Sequence, residues 1–441
     1  VDDRTVEWQG LPGYADPTYY TNFYSPLPRH QLGSDGRRMD EMSASEVAAD
    51  EALTRRPYAY GPFSVDEWVE GDRIRLERND GYWRSDEGLP VLEAVEVRFY
   101  DDPDEVLAAL LDGDVDVVVR DSLDVVEVEG LEQAAAEGRV VYRVLAGTAW
   151  EHIDFQLQPA DDRIAPGACI EVRRAVALGT DRQAMVDEAL GGTARVQHAL
   201  VPAAHWAYPK DGLSTYEHQP ETASQLLEQL GFVDGDGDGV REAAEDVTCQ
   251  RLDADGEPVT VTVPAGTPLE MTLATTRDDP VRERASRMFQ SDMAEIGISV
   301  VLDYLTTEEF FAPGPQGVVS GRRYDLAQFA WLTGGQPPLA LFTCGGIPAE
   351  ANDWIGQNTT GWCLPEYDAL ALRAQAELDL DASLELYSRA QALWSQGLPV
   401  LPLFGRPGVS AARPDLVNFL PDEAAGGDTW NIEAWGIAPG P

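Results

Sequence analysis

Between Gly61 and Arg120 the apolar positions follow two different periods. In GPFSVDEWVEGDRIRLERNDGYW, Phe63, Val65 and Trp68, then Ile74 and Leu76, alternate with polar residues. That alternation predicts a half-buried antiparallel pair joined at Glu70-Gly71-Asp72, and Val95, Val97 and Phe99 predict a third strand. From Pro103 the period lengthens. Val106, Leu107, Leu110 and Leu111 fall at helical spacing, with proline in the first turn and Gly113 as the stop. Val115, Val117 and Val119 then resume alternation. A strand, a helix and a strand with short connections predict that the last two strands lie parallel.

Further on, His152 to Leu157 alternate as a strand. Val172, Ala175 and Val176, then Met185, Val186 and Leu190, predict two helices broken at Gly179-Thr180-Asp181, with Thr180 or Asp181 capping the second. Pro220 opens a helix through Leu226, Leu227 and Leu230 that Gly231 ends. EMTLATT, a helix from Val281 to Ile296 and ISVVLDYL form a second α/β unit. Tyr324 to Trp331 predict a strand that delivers Trp331 to a Gly-Gly-Gln-Pro-Pro loop. Two helices run from Glu366 to Gln396 with Asp381 between them as a cap, and Leu398 to Phe404 form a strand. The class is α/β.

Composition narrows the function. The chain has 441 residues, enough for two cores, and 44% hydrophobic content with 11 tryptophans describes a folded protein. No apolar run approaches the roughly 18 residues of a membrane helix. Acidic residues number 77 against 32 basic, a net charge of −45, and Lys210 is the sole lysine. Phosphate binding needs a cationic footprint, so nucleic acid is excluded as a partner. The charge reads as a solvated acidic surface.

The four cysteines permit three connectivities in an exported chain. The expected one pairs Cys344 with Cys363, which share a Gly/Asn/Pro-rich stretch, and Cys169 with Cys249. In DGDGDGVREAAE, Asp234, Asp236, Asp238, Gly239 and Glu245 satisfy the D-x-D-x-D-G-x5-E spacing of a calcium loop. The glycines let the backbone curl so that alternate carboxylates converge. Val240 would add its carbonyl, Glu242 a water-mediated contact, and Glu245 the closing carboxylate. The structural alternative is an acidic surface turn without metal. A bound Ca2+ would clamp this loop and would not be a transported solute.

The blocks GPF, LERNDGYW and ALLDGDVDVVV, in that order and spacing, resemble the extracellular solute-binding proteins of family 5, the ligand-receiving components of ABC importers. SPLPRHQL before them, IEVRRAVALGTDRQAMVDEALGG, LPVLPLF and the tail GGDTWNIEAWGI match further blocks of that family. The resemblance implies a periplasmic-binding-protein-like fold of class II, with two α/β lobes joined by crossover strands near 148–157 and 399–406. It implies lobe I over 1–147, lobe II over 148–402, and a return to lobe I over 403–441. The family's block DG-T-TF-LR is absent, so the expectation is a lobe I lacking its N-terminal part. A location outside the cytoplasm, extracellular or periplasmic, is implied, with a lipoprotein anchor in the full-length form. Two departures stand out. Gln156 replaces the family's usual Asn, and no Asp or Glu follows Trp331, where peptide-binding relatives place an acidic residue against the ligand's amino terminus.

The expected function is capture of a peptide or oligosaccharide-like solute in a cleft and delivery to a membrane permease, by a monomer and without catalysis. Candidate ligand contacts are Tyr20, Trp150, Phe329, Trp331 and Trp430, with His152 and Gln336 as polar groups. For the aromatics, core packing is the competing explanation. Three other readings compete: a secreted hydrolase using paired carboxylates, a calcium-dependent adhesion module, and a nickel site at His198 and His205. The hydrolase lacks G-x-S-x-G and H-E-x-x-H motifs, and the adhesion module lacks an internal repeat.

Overall fold

The computed structural model describes Thr5, Glu7, Gln9 and residues 27–120, 122–123, 128–277, 279–422 and 427–438. The chain divides into a small unit, Tyr20–Ala146 with Pro407–Pro441, and a large unit, Val1–Tyr19 with Gly147–Arg406. The divisions fall at 146/147 and 406/407, where sequence analysis expected 147/148 and 402/403.

The small unit opens with short helices α1 (Ala44–Ala49) and α2 (Glu51–Thr54), each with an acceptor at its N-cap, Ser43 and Asp50. Strands β1 (Phe63–Val69), β2 (Arg73–Arg78) and β3 (Ala94–Arg98) form an antiparallel three-stranded sheet. The β1–β2 turn places Gly71 at φ +73°, a conformation glycine adopts without steric cost. Helix α3 (Pro103–Asp112) is capped by Asp102 and ends at Gly113, as its sequence predicts. It packs on β4 (Val117–Val118) and α4 (Val128–Ala136), burying Val106, Leu110, Val118 and Leu131 with Val409 and Ala411.

Here one expectation fails. β3 and β4 are not parallel neighbours: β3 belongs to the three-stranded sheet, and β4 pairs antiparallel with the distant Ala411–Ala412. The apolar faces decide this. Val118 is enclosed with the α3–α4 core, whereas Val97 and Phe99 stay exposed, so the helix has no reason to cover β3.

β5 (Val141–Phe155) runs from the small unit into the large one. There follow α5 (Ile170–Gly179), α6 (Arg182–Ala189), α7 (Pro220–Leu230), a hairpin of β6 (Phe232–Val233) and β7 (Glu242–Ala243), and a second hairpin of β8 (Val247–Leu252) and β9 (Pro258–Val263). Asp181 caps α6 by accepting from Ala184 N at 2.9 Å. β10 (Glu270–Thr276), α8 (Pro280–Glu295) and β11 (Ser299–Leu305) make the expected parallel unit. After α9 (Thr307–Phe310), β12 (Leu326–Leu332) joins parallel to β10 and antiparallel to β5. Helices α10 (Pro365–Ala376) and α11 (Leu380–Gly397) follow. Asp379, not Asp381, caps α11, because its carboxylate reaches Ala382 N at 2.9 Å. β13 (Val400–Ala412) returns to the small unit, which β14 (Leu416–Val417) and β15 (Gly436–Ile437) complete. In the large unit the sheet order is β11-β10-β12-β5-β13.

The tail matched as a closing strand is mostly irregular. Asp428 is buried and accepts from Arg120 N at 2.7 Å and Ser410 Oγ at 2.6 Å, and a 3-10 turn at Ile432–Ala434 precedes β15. The cysteines pair as Cys169–Cys249 and Cys344–Cys363, the expected connectivity.

Candidate functional site

Strand alternation gathers four of the seven ligand candidates in the large unit. Across the β5–β12 ladder Trp150 lies opposite Trp331 and His152 opposite Phe329, so all four project from one face. His152 meets Phe329 at 4.4 Å between ring centres, Trp150 at 4.8 Å, and stacks within 9° of Trp331 at 6.4 Å. Trp150, His152 and Phe329 are fully enclosed, whereas Trp331 is half-buried. Gln336 is half-buried in the following loop, where its Oε1 accepts from Tyr387 Oη at 3.2 Å. Trp430 belongs to the small unit and is exposed, with its indole donating to Leu420 O at 2.8 Å. Tyr20 lies outside the described residues.

The same face carries an interior polar group. Asp154 accepts from Thr359 Oγ1 at 2.7 Å and Tyr324 Oη at 3.2 Å, and its other oxygen lies 3.1 Å from His152 Nε2. The alignment of that last contact is too poor for a hydrogen bond, and His152 Nδ1 and Trp150 Nε1 have no partner among the described residues. Burial, with the Asp154 charge beside it, pushes the Tyr324 hydroxyl well above its ordinary value, so it stays a donor.

On the opposite face, Glu151 is fully enclosed and holds Arg282 at 2.9 Å and Arg406 at 3.3 Å. Arg406 also reaches Asp279 at 2.8 Å. Asp279 caps α8 as well, accepting from Arg282 N at 3.0 Å. Burial alone would raise its pKa, but the adjacent arginines and that N–H hold it below the usual carboxylate range. The network ties β5, α8 and the end of β13 within the large unit. Glu151→Gln leaves two guanidinium groups against a neutral amide, and removing one partner of a buried pair costs about 3 kcal/mol. The check is the urea midpoint of the variant; an unchanged midpoint would show that the charge contributes no net stability.

The residues that hold the loop after Trp331 lie outside the expected ligand contacts. The Trp206 indole N–H donates to Gly335 O at 2.7 Å, and His205 Nε2–H donates to Gly334 O at 3.2 Å. His205 Nδ1 accepts from Ala207 N at 3.1 Å, which fixes the neutral tautomer. Tyr387 meets the Trp206 ring edge-on at 5.6 Å. The available signal was an aromatic pair inside VPAAHWAYP, a stretch with no apolar periodicity to bury it.

Burial holds His205 below its ordinary pKa, partly offset by the Gly334 and Gly335 carbonyls. The fold therefore binds this proton less well than the unfolded chain does. Its contribution is complete above the unfolded value of about 6.5 and is lost as pH falls through it towards the lowered one. Between about pH 7 and pH 5 the thermal midpoint should fall further for the wild type than for His205→Gln, which keeps a donor but cannot take the proton. Parallel falls would exclude His205 as the source.

The acidic loop departs from the expected ligand set. Ligand oxygens of Asp234, Asp236 and Glu242 lie within 4.8 Å of one another, the only such group of three or more His, Cys, Asp or Glu among the described residues. Asp238 and Glu245 are outside it. Asp238 instead accepts from Val240 N at 2.8 Å, and Asp234 accepts from Gly237 N and Gly239 N. The reason is the topology: the loop closes the short β6–β7 hairpin, so Glu242 in β7 folds back onto Gly235 N, whereas a calcium hand would continue into a helix. His198 and His205 belong to no such metal-ligating group.

Residues 1–348 match the family described as bacterial extracellular solute-binding proteins, family 5 Middle. The chain belongs to that family. Family 5 relatives include the peptide transport periplasmic protein SapA of Salmonella typhimurium, 25% identical over 425 residues, covering 95% of this chain and 66% of SapA. The chain thus spans just under two thirds of that relative's length. Among solved structures, oligopeptide-binding protein AppA of Bacillus subtilis, in complex with a nonapeptide, superposes with a TM-score of 0.67 at 21% identity, covering 97% of this chain and 75% of AppA. NikA of Brucella suis, in complex with Fe(III)-EDTA, gives 0.68 at 19% identity over 93% of this chain and 72% of NikA. These likenesses show the class II periplasmic-binding-protein-like fold.

Proposed function

We propose that this chain receives a peptide outside the cytoplasmic membrane and delivers it to the permease of an ABC importer. The carrying observation is membership of a family of solute-binding proteins, which are not enzymes, with relatives named for peptide transport. Among the described residues no helix is long and apolar enough to cross a membrane. Affinity would come from the partly exposed aromatic edge at Trp331 and its loop, with the enclosed Trp150, His152 and Phe329 holding that edge in place. Extracellular or periplasmic placement, a lipoprotein anchor and action as a monomer belong to the same proposal. An oligosaccharide-like ligand is the variant that the same test separates.

The test is thermal unfolding against tetra- and pentapeptides and oligosaccharides. A ligand at about 100 times its dissociation constant adds roughly 2.7 kcal/mol, a readable shift. Stabilisation by peptides supports the reading, stabilisation by sugars alone redirects it, and no response to either class sinks it.

A second reading concerns Ca2+. The convergence of Asp234, Asp236 and Glu242 supports a structural calcium clamp on the β6–β7 hairpin, with a ligand set different from the spacing motif. Calcium should raise the midpoint of the wild type and leave Asp234→Asn unmoved. Equal behaviour of the two would reject the clamp.

A further inference from the structure

We infer that Trp206 and the Gly334–Gln336 loop form a subsite for an aromatic side chain and adjoining carbonyls from the interior of a peptide, not for its charged amino terminus. This rests on the peptide-binding reading above and specifies which part of the peptide the site takes.

Trp206 is 42% exposed, yet its indole has partners on several sides. Its N–H is bonded to Gly335 O, its ring edge meets Tyr387, and His205 lies beside it at 5.6 Å. An exposed indole fixed on several sides presents a flat apolar surface without an ordering cost on binding.

The loop backbone supplies the second observation. The carbonyls of Gly334 and Gly335 are occupied by His205 and Trp206, whereas the N–H groups of Gly334, Gly335 and Gln336 donate to no other described residue. Two glycines leave that backbone uncovered by side chains, and both are exposed. Free N–H donors beside a flat ring suit peptide carbonyls flanking an aromatic side chain. From Trp331 to Pro338 the sequence contains no Asp or Glu, so the loop offers no carboxylate to an ammonium group.

The probes are Ala-Ala-Phe-Ala-Ala, its N-acetylated form, and Ala-Ala-Ala-Ala-Ala. They are titrated against the wild type, Trp206→Ala, Trp206→Phe and His205→Ala, with thermal midpoints recorded for each protein. For the wild type, acetylation should change affinity less than threefold, roughly, and loss of the Phe ring should weaken binding about tenfold. Trp206→Ala should abolish the preference for Phe while Trp206→Phe keeps most of it. His205→Ala, which loosens the loop but keeps the ring, should weaken both uncapped peptides alike. A large loss on acetylation, or a Phe preference that survives Trp206→Ala, overturns the inference while leaving peptide binding intact. If the wild type binds none of these peptides but responds to others, only the subsite is wrong. If it binds no peptide at all, the peptide-binding reading falls and the subsite with it.

Discussion

Raising sodium chloride from about 0.1 M to about 2 M is expected to lift the thermal midpoint by roughly 10 °C or more, equivalent to several kcal/mol. With 77 acidic against 32 basic residues, 45 negative charges remain uncompensated, and the compact state concentrates their mutual repulsion. Two like charges about 10 Å apart repel by about 0.4 kcal/mol even in bulk water, and many such pairs coexist here. The Debye length shrinks from about 10 Å at 0.1 M to nearly 3 Å at 1 M, which removes most of that repulsion. The exposed pairs of Arg37 with Asp35 and Glu46 would weaken under the same screening. Their loss works in the opposite direction but involves far fewer charges. The enclosed Glu151 network is shielded from salt and should hardly respond. Thermal scans across salt decide the sign: a falling midpoint would mean that ion pairs outweigh net repulsion.

The second large effect is loss of the Cys169–Cys249 disulfide. It joins the N-terminus of α5 to β8 across 80 residues, and Cys169 is fully enclosed. In the chain-entropy picture a loop of this length contributes about 4.5 kcal/mol by restricting the unfolded chain. The Cys344–Cys363 link spans 19 residues and should contribute about 3 kcal/mol. Urea unfolding of Cys169→Ser/Cys249→Ser should therefore show the greater loss, and Cys344→Ser/Cys363→Ser the smaller. The reverse order would show that local packing, and not loop length, sets the contribution of these links.

Local chemistry was readable wherever a signal acts within a few residues. Pro103 and Gly113 bound α3, Asp181 caps α6, Gly231 ends α7 at φ +106°, and the β10–α8–β11 unit follows its apolar periods. What failed depended on distant partners. β4 found Ala411–Ala412, nearly 300 residues away, because apolar burial against α3 and α4 outweighed the short connection to β3. Asp379 displaced Asp381 as a cap by one half-turn, a choice between near-equivalent acceptors. In the acidic loop, whose calcium binding is a proposal, the β6–β7 hairpin gathers Glu242 with Asp234 and Asp236, a grouping that the linear spacing does not contain.

The candidate site divides along the same line. Sequence alone determined the family, the α/β class, the acidic surface and the alternation that lines up Trp150, His152, Phe329 and Trp331, because a strand's period of two is a local property. Only the tertiary structure decided that three of those four are enclosed, and that His205, Trp206 and Tyr387 converge on Gly334–Gln336. Those contacts join segments more than 50 residues apart through single hydrogen bonds and ring edges. Such contacts impose no periodicity on the sequence and become visible only when the chain is folded.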